Sequence, residues 1–365
     1  MTMRVVSIVG ARPQFVKAAL LSRAFAARGI VESLVHTGQH HDNAMSASFF
    51  AEFGLPQPYA NLGVGSSSPL HQLGEMLLRL EPVLRELSPS FVLVYGDTTS
   101  TLAGALAAAK LKLPLAHVEA GLRCFDLRMP EEQNRLVADR VADLLLAPTA
   151  RAAAQLRSEG IEQTVEVVGD LMVDLAIATL RELPLRPAVL ERFGLRPRGY
   201  VLATIHRAAN TADAARFALL LDGLRRIGLP IVFPVHPRTR PLAEMLGVGR
   251  GDRIVTCEPL GYRDCLALQR DARAVVTDSG GMQKEALAVG TPCVTLRDRT
   301  EWPETLEHDW NVLVDGDPGR IARAALRARP LHAISPFGTG ASAHRIVEAL
   351  LRCDASERVL QSCGS

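Results

Sequence analysis

Proton transfer and phosphate binding both need carboxylates, imidazoles and cations held close together, and this sequence gathers them in a few short polar turns. Asp97 follows the apolar run FVLVY after a single glycine, and Glu119 follows LAHV. A carboxylate at such a position is expensive unless it is hydrogen-bonded or used. Asp97 can alternatively be the N-cap of a helix over residues 101–110. Glu131 follows Pro130 at a plausible helix start, where its charge also complements the helix dipole, and Arg135 lies one turn on. The bland alternative for this stretch is a solvated loop with salt bridges. Two carboxylates at strand ends and one at a helix start, on one side of one sheet, favour acid–base chemistry.

Phosphate chemistry has its own candidates. GARPQFVK places a glycine turn at a helix N-terminus with Arg12 and Lys17 close by, a combination that suits an anion. An ordinary helix start with solvated basic residues is the alternative. TDSGGMQKEAL puts Ser279, Gly280 and Gly281 ahead of a helix, with Glu285 one turn in. The glycines let backbone amides approach a diphosphate, and Glu285 is placed to receive a ribose hydroxyl. His206 in IHRAAN and His236 in VHPRTR stand just after apolar runs, well placed for proton transfer or a phosphate contact.

These turns need elements to position them. Short apolar runs alternate with longer amphipathic stretches, the pattern of doubly wound α/β sheets whose ligand sites lie at the carboxyl ends of strands. Strands are expected at residues 4–9, 30–36, 91–95 and 115–118, with a helix over 14–28. A second series follows at 200–204, 231–234, 253–256, 274–276 and 292–296. Helices are expected at 169–183 and 341–351, with a frayed tail after Cys353. The expected division is 1–168, 169–340, and a terminal segment 341–365 that packs back across both.

Bulk properties narrow the class. A chain of 365 residues suits two domains, and a formal charge of +2 is too small to signal nucleic-acid or membrane-surface binding. No apolar run approaches bilayer-spanning length, and the six cysteines form no CxxC pair or Cys/His ligand cluster. The expectation is a reduced, cytoplasmic protein with no metal site. GxGxxG is absent, so no nicotinamide cofactor is expected.

The blocks GARPQFVKAA, TGQHHD, YGDTTSTLAGALAA, HVEAGLR, MPEEQNR, TIHRAAN, PVHPRT, TDSGGMQKEA and RDRTEWPE resemble the non-hydrolysing UDP-N-acetylglucosamine 2-epimerase family over nearly the whole chain. The resemblance implies a GT-B fold of two Rossmann-like domains, a homodimer, and a site in the interdomain cleft. It implies that Asp97, Glu119, Glu131 and His206 form the catalytic set, and that Arg12, Ser279, Gly280, Gly281 and Glu285 hold UDP. Lys17, Arg135 and His236 join the UDP-binding group by charge and position. The implied reaction converts UDP-GlcNAc to UDP-ManNAc through a 2-acetamidoglucal, with no cofactor, in the supply of polysaccharide precursors. Two departures matter. His206-Arg207-Ala208-Ala209 replaces an HRRE stretch that helps form an activating second site in many bacterial members, so activation by substrate is expected to be weak or absent. Trp302 stands where those members carry arginine, and the local spelling resembles the branch acting on UDP-2,3-diacetamido-2,3-dideoxy-glucuronic acid. Rival readings are a GT-B glycosyltransferase, a hydrolysing epimerase and a UDP-sugar-binding regulator.

Overall fold

The structure is a computed structural model that describes residues 2–39, 54–65, 67–237 and 239–363, the side chains of Arg12 and of residues 355–363 excepted. It divides into two compact units, Met1–Leu175 with Pro336–Ser365, and Ala176–Ser335. The first contains β1 (Arg4–Val9), α1 (Arg12–Ala27), β2 (Val31–His36), β3 (Ala60–Asn61), α2 (Pro69–Leu87), β4 (Phe91–Tyr95), α3 (Thr99–Leu111), β5 (Leu115–Val118), α4 (Pro130–Val141), β6 (Leu144–Ala147), α5 (Ala150–Ser158) and β7 (Thr164–Val167). Among the described residues these strands form one parallel sheet in the order β3-β2-β1-β4-β5-β6-β7. β4 (FVLVY) and β6 (LLLA) are buried along their whole length, as parallel strands covered on both faces must be.

The division falls within α6 (Leu171–Glu182). The second unit continues with α7 (Ala188–Arg192), β8 (Val201–Thr204), α8 (Ala208–Thr211), α9 (Ala214–Arg225), β9 (Ile231–Pro234), α10 (Arg240–Met245), β10 (Ile254–Cys257), α11 (Tyr262–Asp271), β11 (Ala274–Thr277), α12 (Gly280–Ala288), β12 (Cys293–Thr295), a 3-10 segment (Pro303–Asp309), β13 (Asn311–Leu313) and α13 (Pro318–Leu326). Its parallel sheet runs β10-β9-β8-β11-β12-β13 among the described residues. Phe217, Leu220, Leu221 and Leu224 of α9 pack with Phe233, Val276 and Ile321, while Tyr200, Leu202, Val232 and Leu268 belong to a second cluster. In both sheets the strand order reverses beside the first strand, between β1 and β4 and between β8 and β11. Such switch points open a crevice at the strands' carboxyl ends.

Residues 336–365 rejoin the first unit. There α14 (Ser342–Cys363) packs on α1, with Arg28 on Glu348 at 2.7 Å. Asp174 Oδ1 accepts from Ser342 Oγ at 2.8 Å and fixes its start. The helix extends past Leu351 to Cys363, and no Gly or Pro interrupts it before Gly364. Likewise α1 begins at Arg12, two residues before the expected start, since Pro13 is tolerated in a first turn.

Gly121 follows β5 with φ +85°, and a Cβ there would stand 2.4 Å from the Ala152 carbonyl oxygen. Gly121→Ala should therefore lose on the order of 3 kcal/mol of stability, read as a lower calorimetric midpoint, whereas an unchanged midpoint would contradict this packing.

Candidate active site

At the β1/β4 switch, Gln14 ties two turns together. Its Oε1 accepts from the Gly10 and Ala11 amides at 2.8 and 3.1 Å, and its Nε2 donates to the Tyr95 carbonyl at 2.8 Å. The amides expected to cradle phosphate at this helix start are thus occupied by Gln14. Arg12 begins α1, but its side chain lies outside the described residues. So do His40–Asp42 of the TGQHHD block.

Asp97 comes next along the edge. It does not cap α3; Thr98 does, its Oγ1 accepting from the Thr101 amide at 3.3 Å. The Asp97 carboxylate instead pairs with the buried Arg135, and its carbonyl accepts from Asn134 Nδ2 at 2.9 Å. Glu119, held at φ +73°, pairs with the buried Lys17 at 2.7 Å. Lys17 and Arg135, expected as phosphate cations, are both drawn onto carboxylates. The two pairs are neighbours. A Cβ on Gly96 would lie 3.4 Å from Glu119 Oε1 and 3.5 Å from Lys17 Nζ. Burial raises the Asp97 carboxyl above the usual aspartate range; Arg135 opposes the rise, Glu119 adds to it and Lys17 opposes it.

Glu131 stands exposed in the first turn of α4, outside this buried network. Its neighbour Glu132 faces inward, contacting Arg135 at 3.0 Å and accepting from the Phe125 amide at 2.8 Å. Behind the site, buried His117 contacts the Gly96 carbonyl through Nε2 and Asp139 through Nδ1, each at 2.7 Å. Burial pushes the Asp139 carboxyl up, but His117 and Arg123 outweigh it and hold it below the ordinary range.

The second unit repeats the device. Asp278, fully buried after β11, accepts from the His206 and Arg207 amides at 3.1 and 2.9 Å and from Asn210 Nδ2 at 3.1 Å. Its Oδ1 also lies 3.1 Å from His206 Nδ1. An Nδ1–H donated to this carboxylate directs Nε2 away from Asp278. Burial raises Asp278, yet contact with His206, the Arg207 amide and Asn210 leaves its carboxyl lowered. His236 is exposed after β9, its ring centroid 6.1 Å from that of His206; Arg238 lies outside the described residues.

Ser279 is the N-cap of α12 but makes no side-chain capping bond, and Gly280 and Gly281 form the first turn. A Cβ at 280 would meet Glu301 Oε1 at 2.5 Å and Trp302 Nε1 at 3.2 Å, so any larger residue there would have to displace the Glu301 carboxylate. Glu301 pairs with Arg297 at 2.7 Å and Arg207 at 3.3 Å. Trp302 is buried with Lys284 Nζ 3.6 Å from its ring centroid. Glu285 is buried one turn into α12 and accepts from Gln269 Nε2 at 2.7 Å. Gln14, Glu132, Asp278, Gln269 and Glu301 were not singled out from the sequence. Only Asp278 carried a signal there, since it follows a buried strand as Asp97 does.

A family model for UDP-N-acetylglucosamine 2-epimerase matches residues 23–351. The chain belongs to this family. It is 42% identical to UDP-2,3-diacetamido-2,3-dideoxy-D-glucuronate 2-epimerase of Pseudomonas aeruginosa over 361 residues, covering 96% of this chain and 100% of that protein. It is 41% identical to a UDP-N-acetylglucosamine 2-epimerase homolog of Methanococcus maripaludis over 355 residues, covering 95% and 99%. The crystal structure of the Methanocaldococcus jannaschii UDP-GlcNAc 2-epimerase, in complex with UDP-GlcNAc and UDP, matches with a TM-score of 0.87 and 38% identity, covering 96% of this chain and 100% of that one. The two doubly wound units are GT-B-like. Among the described residues no helix is long and apolar enough to cross a membrane.

The electrostatics around Asp97 can be checked directly. In a carboxyl-labelled sample, the Asp97 NMR titration midpoint should lie above the usual aspartate range, and Arg135→Gln, by removing an opposing cation, should move it higher. A midpoint that stays put or falls would contradict the pairing.

Proposed function

We propose that this chain is a cofactor-independent isomerase that inverts C2 of a UDP-N-acetylhexosamine, converting UDP-GlcNAc to UDP-ManNAc without hydrolysis. One observation carries the reading: a carboxyl with a raised proton affinity, Asp97, beside the Glu119–Lys17 pair at the carboxyl edge of the first sheet. Family membership supports the substrate class.

The chemistry follows from the substrate. No ring carbonyl acidifies the C2 hydrogen, so direct deprotonation is unfavourable. Breaking the C1–O bond while a base takes the C2 proton lets UDP leave with the bonding pair and gives a 2-acetamidoglucal. Readdition of UDP, with a proton delivered to the opposite face of C2, gives the epimer. Asp97, Glu119 and Glu131 share the proton transfers. Arg135 and Lys17 hold their partner carboxylates in place. Asp278 orients His206 so that Nε2 assists at the departing phosphate. The α12 start at Ser279, Gly280 and Gly281 receives the diphosphate, Glu285 the ribose, and Arg12 and His236 add charge to the nucleotide site.

A second reading keeps this machinery and changes the sugar to a UDP-2,3-diacetamido-2,3-dideoxy-uronate. The 42% identical Pseudomonas relative and the buried Trp302 favour it. In either case the reading extends to a cytoplasmic homodimer that supplies polysaccharide precursors.

The test is incubation with UDP-GlcNAc in D2O, followed by NMR at C2. Deuterium at C2 with UDP-ManNAc as product is the expected result. Exchange confined to the diacetamido-uronate would select the second reading, and no exchange with either sugar would overturn both. Asp97→Asn and Glu119→Gln should each slow exchange by about 100-fold or more, and near-wild-type rates in both would refute their roles.

A further inference from the structure

The Glu285 carboxylate does not find its orientation alone. Gln269 on α11 is wholly buried, and its Nε2 donates to Glu285 Oε2 at 2.7 Å. A carboxylate only accepts, so the amide orientation is determined: nitrogen toward Glu285, oxygen away. Gln269 Oε1 is then buried with no hydrogen-bond partner among the described residues. The three residues before it on the helix, Leu266, Ala267 and Leu268, are all buried, and Cys265 Sγ is 3.9 Å from the Gln269 nitrogen. For packing alone, a methionine of similar length would fill this place and leave no stranded acceptor.

We propose, resting on the nucleotide-binding reading above, that Gln269 is a positioning residue for ribose recognition, holding the Glu285 carboxylate in the orientation that receives the ribose hydroxyls. Glutamate has three side-chain torsions to order. A carboxylate already set by a buried donor spares the ligand that ordering, so the gain falls on ligands that carry the hydroxyls. The consequence is specific: loss of the Gln269 amide weakens nucleotides with ribose hydroxyls and leaves nucleotides without them unaffected.

The experiment is calorimetric titration of the full chain with UDP and with 2′,3′-dideoxy-UDP. Wild type should bind UDP about tenfold or more tighter than the dideoxy nucleotide, and Glu285→Ala should abolish that preference. Gln269→Met should weaken UDP by about fivefold while leaving 2′,3′-dideoxy-UDP within about twofold of wild type. Gln269→Ala, measured alongside, keeps the comparison available if the methionine variant does not fold. Equal weakening of both nucleotides, or retention of the full wild-type preference, would overturn the role of Gln269 alone. If wild type itself binds both nucleotides equally, the ribose role of Glu285 fails and this proposal fails with it.

Discussion

All strands of each sheet run the same way, so every carboxyl end emerges on one edge, and any charge placed there sits against an apolar interior. This constraint decides which polar residues the fold can carry. A carboxylate following FVLVY or LAHV needs a partner within a few ångströms, and the chain supplies one each time: Arg135 for Asp97 and Lys17 for Glu119. Removing one member of such a pair would strand the other, which is more damaging than replacing both. On the proposed assignment the pairs couple catalysis to folding, because the groups suited to proton transfer are also those the sheet edge must neutralise.

The pairs are not equivalent. Asp97 keeps about a quarter of its side chain exposed while Glu119 is 11% exposed. Lys17 comes from α1 and Arg135 from α4, so the two cations are placed by elements on either side of the switch between β1 and β4. Behind them, His117 and Asp139 join the Gly96 carbonyl to α4, which limits how far the Asp97 turn can shift. In the second unit Asp278 pairs with an imidazole and gathers two backbone amides, so the same strand-end position serves orientation there.

The sheets were legible in the sequence because parallel strands buried on both faces leave short continuous apolar runs. β1, β4, β5 and β9 fall on the expected residues, β2, β8, β10, β11 and β12 differ by one residue at one or both ends, and β3, β6, β7 and β13 were not expected. The strand-end rule found Asp97 and Glu119. It applied equally to Asp278, whose motif drew attention to its glycines. Side chains within helices were harder to read. Glu131 and Glu132 are adjacent in sequence, and only the packing of α4 shows that Glu132 faces inward and Glu131 outward. Gln14 and Gln269 resemble solvated polar positions in a helical pattern until the carbonyls and carboxylates opposite them are known. Lys17 and Arg135 are legible as candidate cations by charge and position, but their carboxylate partners are not, because a cation's nearest anion is set by tertiary contact.

What distinguishes elimination from any route that leaves the anomeric bond intact is cleavage of C1–O. UDP-GlcNAc, or the diacetamido-uronate if that is the sugar turned over, can be prepared with oxygen-18 in the bridge between C1 and the β-phosphorus and followed by phosphorus NMR. If UDP departs and returns, the label should move into the non-bridging β-phosphate positions as C2 inverts. Epimerised product that keeps all of its label in the bridge would contradict elimination and readdition.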